Sequence, residues 1–147
     1  MKKIDKWVDR TIALDKLKDW QGLLDWSLKW TKSEPENAAA WYSLGVAYRE
    51  LEHHNDAIEA NCEAIRIDPE RANTWYNLGV SYGNLNRHDD AIKAYRQVLL
   101  FDPEDASAWY NLGVSYYLSG NRTPALNAVQ KLQRLDPEKA DKLFNLI

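Results

Sequence analysis

The chain has little of what announces chemistry. It holds one cysteine, Cys62, so no intrachain disulfide can form, which suits a reducing compartment. No apolar run approaches the roughly 20 residues needed to cross a bilayer. The charged start MKKIDKWVDR has no apolar stretch of the kind a secretion signal carries. A cytoplasmic protein that does not contact membranes is expected. Basic residues are not in surplus: 19 Lys and Arg face 22 Asp and Glu, a net charge of −3. A general nucleic-acid binder needs a net basic face to displace counterions, so the balance argues against that class.

Catalytic signatures are missing too. There is no GxxxxGK[ST], GxSxG, HExxH or paired CxxC in the sequence. His53, His54 and His88 are read as solvated turn residues, since further metal ligands at suitable spacing are not evident. Cys62 has no activating partner nearby and is read as a small residue buried in a helix. The expectation is therefore no enzyme, no cofactor and no metal.

What the chain has is repetition. WYNLGVSY occurs at 75–82 and again at 109–116, and a near copy, WYSLGVAY, occupies 41–48. Asp68-Pro69-Glu70, Asp102-Pro103-Glu104 and Asp136-Pro137-Glu138 recur at the same 34-residue interval. A fixed period of this length marks a stacked array in which each unit buries its apolar face on its neighbours.

In the unit 38–71, Trp41, Leu44, Gly45, Tyr48 and Leu51 lie at helical spacing on one face. Turn residues His53, His54, Asn55 and Asp56 follow. A second helix then carries Ala57, Ile58, Asn61, Ala64 and Ile65, and Asp68-Pro69 ends it. Gly45, Gly79 and Gly113 recur inside the first helix. Glycine there costs about 1 kcal/mol against alanine, so close packing is the reason expected. Ala57, Ala91 and Ala125 are read as the small residues opposite.

These residues resemble the tetratricopeptide repeat over 38–139. Each unit has the Trp, Leu, Gly and Tyr of a first helix, an early Ala in the second, and the closing Pro. Asn61, Tyr95 and Val129 fall where the family prefers an aromatic. The resemblance implies an all-α, right-handed superhelical solenoid of antiparallel helix pairs. Its expected organisation is one continuous domain: repeats at 38–71, 72–105 and 106–139, a degenerate N-terminal pair within 1–37, and a short capping helix at 140–147. In the N-terminal pair, in the register 4–37, Arg10 and Thr11 replace Leu-Gly and Leu23 replaces the small alanine, so its close contact is lost or widened. The capping helix either covers the last pair or meets another chain.

The resemblance also implies a concave groove lined by the first helix of each pair. Here that face reads Tyr42, Ser43, Val46 and Arg49, then Asn73, Tyr76, Asn77, Val80 and Asn84, then Ser107, Tyr110, Asn111, Val114 and Tyr117. Asparagine both donates to and accepts from a peptide backbone, and tyrosine offers apolar area with a polar tip. These features suit an extended peptide, although the same residues serve as scaffold in the family. The family's chaperone-tail binders hold a terminal carboxylate with Lys and Asn where this chain has Tyr42 and Val46. They use Lys and Arg where it has Ser107 and Asn111. No carboxylate clamp of that kind is expected. The asparagine ladder is more similar to the superhelical groove attached to protein glycosyltransferases, without a catalytic domain here.

Asp5, Asp9 and Asp15 extend this face as either a preference for a basic ligand residue or ordinary solvated charges. Trp41, Trp75 and Trp109 are structural. Trp20, Trp26 and Trp30 either thicken the N-terminal cap or form an interface. Three functions remain: a peptide-binding adaptor, a scaffold that self-associates through its Trp-rich N-terminal helices or its C-terminal helix, and a small secretion-type chaperone.

Overall fold

The computed structural model describes residues 5–147, which form nine α-helices and no strand. Residues 1–4, the first part of the expected N-terminal pair, lie outside the described residues. The chain divides into two compact units, Met1–Pro69 and Glu70–Ile147. In the first, α1 (Lys6–Lys16), α2 (Trp20–Ser33), α3 (Ala38–Glu50) and α4 (His54–Ile67) follow one another, each packed on the next. In the second, α5 (Ala72–Asn84), α6 (His88–Phe101), α7 (Ala106–Leu118) and α8 (Arg122–Leu135) do the same, and α9 (Pro137–Leu146) covers both α7 and α8. The fold class is the all-α helix-pair solenoid.

The turn inside each pair is shorter than the sequence suggests. His54, Asn55 and Asp56 are the first residues of α4, not turn residues, and His88 opens α6. The reason is a closure that the sequence conceals. Lys18, Glu52, Asn86 and Gly120 have φ of 52°, 63°, 58° and 85° and recur at the repeat interval. Each donates its N–H to the carbonyl three residues back, and the next residue donates to the carbonyl five back. This is a Schellman closure, which satisfies the last carbonyls of the first helix and leaves almost no loop. Only Gly120 suits the left-handed region without a steric cost.

The turn between pairs rests on proline. Glu34, Asp68, Asp102 and Asp136 are extended, with φ between −132° and −155°, as residues before proline must be. The indole N–H of Trp41 donates to the Pro35 carbonyl at 2.8 Å, and that of Trp109 to Pro103 at 2.7 Å. These tryptophans therefore pin the preceding turn.

The glycine seats correct one expectation. Ala57, Ala91 and Ala125 are fully buried, but they are not what the glycines face. A methyl on Gly45 would lie 2.8–3.0 Å from the Asn61 amide, and one on Gly79 would lie 2.7–3.0 Å from the Tyr95 ring. At Gly113 the neighbours are the Leu143 side chain and, at 3.0 Å, Ala128. The glycine makes room for a side chain one turn further along the second helix, or in the third repeat for α9. Asn61 is fully buried there and donates to the Ala57 carbonyl at 2.8 Å. In the N-terminal pair the same two register positions hold Thr11 and Ser27, so the volume is shared between two small residues.

That pair is filled by tryptophan instead. Trp30 is 2% exposed and stacks on Trp7 with ring centroids 6.0 Å apart, and Trp26 lies 4.6 Å from Trp7. The Trp26 indole donates to the Trp7 carbonyl at 3.2 Å and the Trp30 indole to Glu34 Oε2 at 3.0 Å. Trp20 packs against Leu14, Leu23 and Ala47. These contacts bury Trp30 in the core and leave Trp20 and Trp26 half-buried against it. Exposed large apolar side chains at the two ends include Val8, Ile12, Leu17, Phe144 and Leu146. Cys62 is exposed, against expectation, because Asn61 takes the inward position beside it.

Candidate functional site

The candidate face is built from the first helix of each pair. In α3, Tyr42, Val46 and Arg49 are half-buried and Ser43 is buried, its hydroxyl donating to the Ala39 carbonyl at 2.9 Å. Val46 packs on the Leu14–Leu23–Ala47 cluster, and the Arg49 guanidinium pairs with Glu50. Asp5 is consumed as the N-cap of α1, accepting from the backbone N–H groups of Trp7 and Val8, whereas Asp9 and Asp15 are exposed.

Residues 70–147 carry candidate residues on two first helices. On α5, Asn73 and Asn84 are exposed, and Tyr76 and Val80 are half-buried. Both of the latter pack on the cluster of Ala91, Ile92, Tyr95 and Leu112, and the Tyr76 ring meets Tyr95 edge-on with centroids 5.7 Å apart. On α7, Tyr110, Asn111, Val114 and Tyr117 are half-buried, and Ser107 is exposed. Tyr110 and Val114 lean on the cluster of Ala128, Val129, Leu132, Ala140 and Leu143.

The asparagines do not behave as one ladder. Asn77 is 1% exposed, so its amide belongs to the interior. Asn111 Nδ2 donates to the Tyr76 hydroxyl at 2.8 Å, a bond that ties α7 to α5. Asn73 and Asn84 stand at the surface. The row is therefore half scaffold: Asn111 and the Tyr76 hydroxyl hold two successive helices in register.

Lys139, in the first turn of α9, is a further charged group that the sequence reading passed over. Its ammonium lies 2.8 Å from Asp136 Oδ2, and the same carboxylate caps α9 through the Lys139 backbone N–H. Those two hydrogen bonds hold the Asp136 carboxyl below its ordinary value, the side-chain one most strongly. Lys139 is raised above its own, first by the hydrogen bond to Asp136, with Glu138 and Tyr76 contributing smaller charge effects. The signal for it was the Asp-Pro start of a helix, where Asp136 as N-cap accepts from the backbone N–H of the third residue on, Lys139.

No group of three or more metal-ligating side chains lies together among the described residues, and no helix there is long and apolar enough to cross a membrane.

Three family profiles, each described as tetratricopeptide repeat, match residues 38–71, 72–105 and 106–139. The sequence has no match among curated proteins. Among solved structures the fold is similar to "Crystal structure of MamA", with a TM-score of 0.81 at 23% identity, covering 92% of this chain and 90% of that one. It is also similar to "MamA 41-end from Desulfovibrio magneticus RS-1", with a TM-score of 0.82 at 22% identity, covering 90% of this chain and 75% of the other. At these identities the likeness speaks for the fold alone. The three matched segments cover most of the sequence and carry its repeated tryptophans, glycines and prolines, and the chain belongs to the tetratricopeptide repeat family.

Proposed function

We propose that the chain is a non-catalytic protein-interaction module that takes an extended polypeptide along the first-helix face of residues 70–147. Family membership supports the broad role, since tetratricopeptide repeats are protein-interaction modules. The observation that carries the finer reading is the 2.8 Å bond from Asn111 to Tyr76. It joins α7 to α5, on which Asn73 and Asn84 are exposed, and the rings of Tyr76, Tyr110 and Tyr117 are half-buried on the same two helices. An extended peptide presents alternating backbone donors and acceptors, which such amides can meet, and side chains that tyrosine faces can cover. Tyr42, Val46 and Arg49 occupy the same register on α3 and are proposed as a second stretch of lining.

The test is selection from a random peptide library, followed by equilibrium binding of the enriched peptides. Peptides that bind the parent, and bind the Asn73→Ala/Asn84→Ala/Tyr117→Ala variant at least about tenfold more weakly, support the reading; tenfold is about 1.4 kcal/mol. Equal binding to both proteins places the ligand elsewhere and overturns it.

A further inference from the structure

The faces made by the second helices carry two clefts of one design and opposite charge. In residues 5–69 a cleft of about 660 Å³ has Trp41, Leu44 and Tyr48 as its floor and Asp56, Glu59 and Glu63 on its rim. In residues 70–147 a cleft of about 450 Å³ has the floor Trp109, Leu112 and Tyr116, the same three residues two repeats later. The rim positions there hold Pro124, Asn127 and Lys131 in place of the three acids. The same floor has thus been given an acidic rim in one unit and a neutral-to-basic one in the other.

The surrounding charges sharpen the contrast. Glu59 has no ion-pair partner among the described residues, and with Asp56 it raises the Tyr48 phenol, an effect second to burial. Asp56 stands 3.7 Å from His53, and Glu63 is 3.0 Å from Arg66. On the other unit, α8 has no acidic residue at all. Lys93 and Arg96 on α6, and Lys131 and Arg134 on α8, border adjoining cavities. None of the four is in an ion pair among the described residues, and Lys131 lies 5.8 Å from the Trp109 ring centre. Leu100, beside Lys93 and Arg96, is 73% exposed.

We propose that the acid-rimmed cleft over Trp41 and Tyr48 receives the basic α6–α8 ridge of a second copy of this chain, with Leu100 entering the cleft and the four cations meeting Asp56, Glu59 and Glu63. Both halves of the complementarity belong to the same sequence, which is why a second copy is the occupant. Opposed charge patches steer and orient such an encounter, and the buried leucine supplies apolar contact. Each chain offers one cleft and one ridge, so a head-to-tail contact leaves one of each free at the ends until the assembly closes as a reciprocal dimer or a larger ring. It uses surfaces distinct from the first-helix face and needs no ligand there.

The test is sedimentation equilibrium of the full chain from micromolar to millimolar concentration, at low and high salt. Two charge-reversal variants are compared: Glu59→Arg/Glu63→Arg in the cleft, and Lys131→Glu/Arg134→Glu on the ridge. All four positions lie at the surface or half-buried, and helical circular dichroism checks that each variant folds. The parent is expected to gain mass with concentration and lose it with salt, because exposed charge pairs are screened. Each variant alone is expected to associate at least tenfold more weakly. An equimolar mixture is expected to recover association, since the reversed cleft of one fits the reversed ridge of the other. A parent that stays monomeric, variants that associate like the parent, or a mixture that does not recover would each overturn the proposal. So would a monomeric parent that binds an arginine-rich peptide and loses it with Glu59→Arg, which would give the cleft to a foreign basic segment.

Discussion

One methyl group, added at two places on α5, separates close packing from helix propensity. At Gly79 the new carbon would lie 2.7 Å from Tyr95 Cε1, 2.9 Å from Cζ and 3.0 Å from Cδ1. Carbon pairs rest at about 3.5–4.0 Å, so the ring must retreat by the better part of an ångström. It has little room to do so. Tyr95 is 4% exposed, meets Tyr76 edge-on, and packs with Ala91, Ile92 and Leu112. Overpacking of this kind costs about 1–3 kcal/mol. At Gly83, four residues along the same helix, an added carbon meets nothing within 4 Å. There only the gain in helix propensity remains, about 0.5–1 kcal/mol for a last-turn position. Both substitutions collect that gain, so the difference between them isolates the packing term. Urea unfolding followed by circular dichroism should place Gly79→Ala below the parent or level with it, and Gly83→Ala above it, with about 1–3 kcal/mol between the two variants. In a Tyr95→Val background the gap should shrink. A Gly79→Ala protein as stable as Gly83→Ala would refute the assigned contact.

Other outcomes follow from single features. Glu52→Gly and Lys18→Gly should each stabilise the fold, because a left-handed L-residue costs about 1–2 kcal/mol and glycine returns part of that as unfolded-state entropy; Gly120→Ala should destabilise it, and thermal melts check all three. Asn77→Ala should cost about 1–3 kcal/mol, since its amide is interior, whereas Asn73→Ala should be close to neutral in the same urea assay. Asp136 has a folded pKa below its unfolded value, so its contribution is present above the ordinary carboxylate range and is lost as pH falls through the lowered folded value. The protection factor of α9 in hydrogen exchange, corrected for the intrinsic pH dependence of the amides, should therefore fall at acid pH in the parent, and Asp136→Ala should show that lower protection already at neutral pH.

Much of the fold was legible because periodicity is a strong signal. The tryptophans, glycines and prolines each recur at one interval, and α3, α5 and α7 begin at Ala38, Ala72 and Ala106. The turns were less legible. Asn86 and Gly120 carry the usual marks of a left-handed closure, but Lys18 and Glu52 hold the same positions without them, so the closure did not read as a recurring feature of the pairs. The partner of each glycine was misread because spacing along one helix does not reveal which residue of the next stands opposite. Tyr95 and Asn61 take that place, and the alanines pack beside them.

The candidate face was legible as a row but not as a division of labour. Asn77 and Asn111 hold equivalent repeat positions, yet the first is interior and the second bonds to a neighbouring tyrosine. Only coordinates separate an amide spent on the scaffold from one left for a ligand. The opposed rims of the two outer clefts were in the sequence at Glu59 and Asn127 and at Glu63 and Lys131. They acquire meaning only when the shared floor beneath them is seen.

The most direct test of the central claim is a native pull-down with two baits, read by mass spectrometry: the parent, and the Asn73→Ala/Asn84→Ala/Tyr117→Ala variant with its fold verified. The account predicts a polypeptide partner held by the parent and lost by the variant. Partners retained equally by both baits would contradict it.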